Sequence, residues 1–167
     1  MQTDLTSIEA IGLAVRSEED AAKFYAHVSK LIANPVIREK YENLAKEEIQ
    51  HGQVLTGLYK KMTGDTARPP RIPGSPVTAE GGAIPTQIAG SLEDLLKLAV
   101  TRESDAKDFY NKAARESIDP SGKRILAYLA SVESGHEEML KKELEAYLND
   151  RGLYESADLL EMIHVGP

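Results

Sequence analysis

Two short stretches carry the residues best placed to do chemistry, Glu48-Ile49-Gln50-His51 and Glu133-Ser134-Gly135-His136. In each, a carboxylate and an imidazole stand three residues apart. That is close to one turn of helix, so both side chains leave the same face, one above the other. Such a pair offers an oxygen and a nitrogen donor to one divalent cation. A further glutamate, Glu18 or Glu103, precedes each pair by the same thirty residues.

The two stretches are copies. Their positions differ by a constant 85 (48 to 133, 51 to 136), and the same offset pairs identical residues along both halves. Leu13, Ala14, Val15, Glu18, Asp20, Ala21, Phe24 and Tyr25 match Leu98, Ala99, Val100, Glu103, Asp105, Ala106, Phe109 and Tyr110. Pro35, Leu44, Ala45, Glu48, His51 and Leu55 match Pro120, Leu129, Ala130, Glu133, His136 and Leu140. A repeat of this length is a duplicated structural unit.

Each unit must be a helical hairpin. Ile8, Ile11, Val15, Glu18, Ala22, Tyr25 and Val28 recur by threes and fours, which predicts a first helix from a cap at Thr3 or Asp4 to about Ile32. Asn34-Pro35 breaks it, and the proline suits the first turn of a second helix carrying Tyr41, Leu44, Glu48, His51 and Leu55. The third and fourth helices repeat this pattern after Ser91, with Asp119-Pro120 as their break and Gly152 as a C-terminal stop. The first hairpin thus covers about 4–63 and the second about 91–150. Between them, residues 64–90 hold five prolines and show no helical period, so they read as a crossover able to span the length of a bundle. Leu153, Ala157, Leu160 and Ile163 give a short amphipathic C-terminal helix over about 153–164. The expectation is a single all-α domain over 1–167, an antiparallel four-helix bundle of two duplicated hairpins.

Arithmetic places the glutamates. The midpoint of 18 and 48 is 33, and that of 103 and 133 is 118, each at a predicted turn. Each glutamate pair therefore faces itself across its hairpin, about 22 Å from the turn at roughly 1.5 Å per residue. If the second hairpin lies antiparallel to the first, all four meet in one central layer. Four buried carboxylates repel one another unless cations neutralise them. Two divalent metals would do so, and a mixed oxygen and nitrogen set suits iron or manganese, with zinc as an alternative occupant.

Composition removes other classes. A net charge of −7 argues against nucleic acid as a partner. Zero cysteines exclude disulfides and thiolate metal sites within this sequence and fit a cytoplasmic setting. No uncharged stretch reaches bilayer length and Met1 to Ala10 has no signal-like core, so neither a membrane span nor a targeting segment is expected.

With four glutamates and two Glu-x-x-His pairs in a duplicated bundle, the chain resembles the ferritin-like di-iron carboxylate proteins, most nearly the rubrerythrin family. The likeness covers about residues 5–148. It implies two iron ions, with Glu18 and Glu103 as terminal ligands, Glu48 and Glu133 as bridging ligands, and His51 and His136 as imidazole ligands. It also implies that Tyr25 and Tyr110 stand beside the ligands, where they could orient a bound group or pass protons; ordinary core aromatics are the alternative reading of both. The implied activity is reduction of hydrogen peroxide or oxygen. A ferroxidase or iron-storage role and a metal-stabilised interaction module are the alternatives. Two departures stand out. Rubrerythrins carry an extra glutamate one turn past the third-helix ligand, where this chain has Ala106. Their C-terminal rubredoxin domain has no counterpart in these residues, so a separate rubredoxin-like protein would supply electrons. A homodimer is the expected assembly, and the long crossover makes an exchange of hairpins between subunits feasible. His27, His164, Glu19 and Glu47 lie off the ligand stripe and read as solvated side chains.

Overall fold

The computed structural model describes residues 7–64 and 91–156. The caps expected at Thr3 or Asp4, nearly all of the crossover, and most of the C-terminal helix lie outside those residues. Within them the chain forms α1 (Ser7–Leu31), α2 (Pro35–Thr63), α3 (Leu92–Glu116), α4 (Pro120–Asn149) and α5 (Arg151–Glu155), with no strand among the described residues.

Local chemistry explains the boundaries. Asn34 caps α2, its side-chain oxygen accepting from the backbone N–H of Val36 at 3.0 Å and of Ile37 at 3.2 Å, with Pro35 in the first turn. Asp119 and Pro120 repeat the device at the start of α4, and Ser91 caps α3. Gly64 ends α2 at φ 70°, a left-handed conformation that costs glycine nothing, and returns its N–H to the Lys60 carbonyl.

Gly152 is not the stop that its position suggested. The chain turns instead at Asp150, whose carboxylate accepts from the Leu153 N–H and starts α5 early, so that Gly152 lies inside the new helix. The short α5 docks on the first hairpin's turn. The Ala33 and Asn34 N–H groups donate to the Tyr154 carbonyl, and the Asn34 side chain donates to the Leu153 carbonyl.

The core lies in two parts, above and below the middle of the bundle. One joins Phe24 and Val28 of α1, and Ile32 just after it, to Leu95, Leu96 and Ala99 of α3, with Tyr41, Leu140 and Tyr154. The other joins Ile11, Ala14 and Val15 to Tyr110, Ala113 and Ala114, with Leu55 and Leu126. The late part of α1 thus meets the early part of α3, so the hairpins run antiparallel, as the central layer requires. Each fully buried Leu, Ile or Phe contributes about 1.5–3 kcal/mol. This apolar packing on both sides holds a charged layer between.

Candidate metal centre

All six predicted ligand residues converge on that layer. Glu18, Glu48, Glu103 and Glu133 are 1–3% exposed and His136 is 8% exposed. His51 Nδ1 lies 3.3 Å from Glu48 Oε2, 3.5 Å from Glu18 Oε2 and 3.6 Å from Glu133 Oε1. His136 Nδ1 lies 3.1 Å from Glu133 Oε2, 3.4 Å from Glu48 Oε1 and 3.6 Å from Glu103 Oε2. The two rings stack with centroids 6.0 Å apart. The donors form two overlapping groups that could each hold a cation, Glu18, Glu48, His51 and Glu133 on one side and Glu48, Glu103, Glu133 and His136 on the other. Glu48 and Glu133 belong to both.

Two divalent cations fit these residues. Glu18 Oε2, Glu48 Oε1 and Glu133 Oε1 are buried without a hydrogen-bond partner, a costly state that cation binding would relieve. Protons partly fill that need without metal. Burial and the neighbouring Glu48 hold Glu18 well above the usual carboxylate range. Glu48 goes the other way, because hydrogen bonds from Glu18 and both imidazoles outweigh its burial. Burial, with Glu103 and Glu48 nearby, raises Glu133 to about 8 despite the His136 hydrogen bond. Burial alone would depress the imidazoles, but Glu18 and Glu48 bring His51 up to about 10. Against the same burial, Glu103, Glu133 and Glu48 raise His136 strongly.

The two tyrosines cross between hairpins. Tyr25 on α1 donates its hydroxyl hydrogen to Glu103 on α3, and Tyr110 on α3 donates to Glu18 on α1. Both rings are fully buried, and that burial, together with the carboxylates, pushes both hydroxyls well above the usual tyrosine range. Each therefore stays a donor at neutral pH and fixes one oxygen of the outer glutamate.

One contact departs from the sequence reading. Glu47 does not simply face solvent, because its Oε2 reaches across from α2 to His136 Nε2 at 3.0 Å. A carboxylate on the outer nitrogen of a metal-binding imidazole fixes its tautomer and raises its basicity. The counterpart of Glu47 in the second hairpin is Val132, which has no such oxygen to offer. In the sequence, its only signal is that it adjoins Glu48 and is unmatched in the other half. In Glu47→Ala, cobalt binding on the His136 side is expected to weaken roughly 10–100-fold while the His51 side holds. Titration followed by visible absorption reads the two steps, and a wild-type curve would remove Glu47 from the centre.

Other expectations are met in part. Ala106 packs against the second apolar cluster, so the space of the extra rubrerythrin carboxylate is apolar here. His27 is half-buried and belongs to neither donor group among the described residues, Glu19 is half-buried, and His164 lies outside those residues. No helix among the described residues is long and apolar enough to cross a membrane.

Comparison with known proteins finds a matching family and related folds. The family described as Rubrerythrin matches over residues 9–144. An uncharacterised protein of Bacillus subtilis (strain 168), YhjR, is 24% identical over 133 residues, covering 80% of this chain and 83% of its own. A hypothetical protein from Pyrococcus furiosus superposes with a TM-score of 0.71 at 28% identity, over 89% of this chain and 94% of that one. A bacterioferritin from Rhodobacter capsulatus, solved with a metal-free dinuclear site and a haem iron, superposes with a TM-score of 0.64 over 89% of each chain. At 22% identity, that last likeness speaks for the fold alone.

Proposed function

The chain belongs to the rubrerythrin family, and from that membership we propose that it is a di-iron oxidoreductase that reduces hydrogen peroxide, taking electrons from a separate donor protein. The observation that carries this reading is the pair of donor groups sharing Glu48 and Glu133, each with one imidazole. Two irons so held would supply the two electrons that convert peroxide and two protons to two waters. The chain's own residues do the rest. Glu48 and Glu133 would contribute to both positions, and the carboxylates would offset the change in charge. Tyr25 and Tyr110 keep Glu103 and Glu18 in one orientation, so that little rearrangement accompanies the reaction. The apolar clusters above and below the layer keep water out from those two directions, which strengthens the contacts that face them.

Stopped-flow mixing tests the proposal. Protein loaded anaerobically with ferrous iron should be oxidised by one equivalent of peroxide per pair of irons, far faster than free ferrous ion and faster than by oxygen. Rapid reaction with oxygen, followed by continued uptake of many irons per chain, would favour a ferroxidase or storage role instead. Loss of reaction with both oxidants at full iron content would leave a structural metal site.

A further inference from the structure

We propose that, among the described residues, a small uncharged reactant reaches the central layer through the α1/α2 face, and that an ion pair closes the equivalent α3/α4 face. This rests on reading the layer as a metal centre that meets peroxide or oxygen. A cavity of about 930 Å³ opens on the α1/α2 face, and Ala22, Ala26, Ala45, Glu48 and Gly52 are among its lining residues. Gly52 abuts the layer, since an added Cβ there would meet Glu18 Cβ at 3.5 Å, an ordinary van der Waals contact. Glu48, nearly fully buried, lines the cavity, and the equally buried Glu18 lies behind Gly52. Glu48 Oε1 and Glu18 Oε2 have no hydrogen-bond partner.

The duplication supplies an internal control. The offset of 85 carries Ala22 to Lys107 and Gly52 to Glu137. In the second hairpin those residues form an ion pair, Lys107 Nζ to Glu137 Oε2 at 2.6 Å, tying α3 to α4, and Lys141 holds the other carboxylate oxygen at 2.6 Å. Glu137 is 7% exposed, so its side chain fills the position that Gly52 leaves empty in the first hairpin. An ion pair at the edge of solvent adds little to stability. Its larger consequence is steric, since two long side chains stand where the first hairpin has a methyl group and a hydrogen.

The lining points to the kind of reactant. Glu19 and Glu48 are balanced by Lys23 and Lys60, so the cavity concentrates neither anions nor cations. Hydrogen peroxide and dioxygen pass such a lining without paying for desolvation of a charge.

The test transfers the closed face onto the open one. Nitric oxide, neutral and close to dioxygen in size, is mixed with ferrous-loaded protein and its association is followed by absorption. In the double variant Ala22→Lys with Gly52→Glu, association is expected to slow by roughly tenfold or more at unchanged metal content. Ala22→Leu, which narrows the cavity from α1 without touching α2, should slow it by less and serves if the double variant does not fold. The reverse exchange, Lys107→Ala with Glu137→Gly, should leave association as fast or faster. Unchanged rates in both cavity variants overturn the route, as does equal slowing in the reverse exchange. So does slower cobalt loading with unchanged nitric oxide association, which would make this a metal path. Failure of the wild type to react with peroxide, with the nitric oxide order intact, would count against the proposed function and not against the route.

Discussion

Glu48→Ala is expected to lose both metals, whereas Glu18→Ala should lose one. Glu48 lies within reach of both imidazoles, and its two oxygens serve both donor groups. Removing it takes a ligand from each position and leaves Glu133 as the only shared carboxylate. Glu18 belongs to one group alone, so its loss leaves Glu48, Glu103, Glu133 and His136 intact. Loss of an outer partner already weakens metal binding roughly 10–100-fold, and loss of a direct, shared ligand should exceed that at both positions. Metal analysis after desalting, alongside circular dichroism to confirm retained helix, reads the outcome. One tightly held metal in Glu48→Ala would show that the two groups do not share it.

The second large effect is on stability, and metal should reverse its dependence on pH. Glu133 is raised from 4.5 to about 8 and His51 from 6.5 to about 10. A group with a raised folded value contributes stability that is complete below its unfolded value and vanishes as pH rises through the folded one. For Glu133 that loss runs from 4.5 to about 8, and for His51 from 6.5 to about 10. Metal-free protein should therefore melt at lower temperature at pH 9 than at pH 6. Metal replaces those protons, so its affinity and the stability it confers grow with pH. At about 1,000 times the dissociation constant, metal adds about 4.1 kcal/mol. At about 2–4 °C per kcal/mol for a chain of this size, the melting temperature rises by about 8–16 °C. Scanning calorimetry with and without cobalt at both pH values checks the inversion. Parallel pH trends would mean that the layer's protons are not what the metal displaces.

The ligands and the bundle were legible because both obey short-range rules. Glu48 and His51 are placed by helical period, Asn34 and Asp119 mark their turns by capping chemistry, and the equal spacing from each turn sets the four glutamates at one height. Contacts decided by which helices lie side by side were not legible in that way. Glu47 sits off the ligand stripe of its own helix, and it matters only because α4 brings His136 within 3.0 Å. Tyr25 and Tyr110 are on the expected face, yet nothing in the spacing says that each serves the other hairpin's glutamate. Gly152 belongs to the same class, since a nearby aspartate begins a new helix where glycine would otherwise end an old one.

The crossed tyrosines have the form of contacts across a two-fold axis: Tyr25 meets Glu103 as Tyr110 meets Glu18. Two separate copies of one hairpin could satisfy the same relation, and they would be bound to remain alike. Joining the copies in one chain lifts that constraint. Glu47 can differ from Val132, Ala22 from Lys107, and Gly52 from Glu137, each without altering its twin. What began as symmetry thus becomes a freedom to specialise, with one half of the chain left open and the other closed around a centre that both still share.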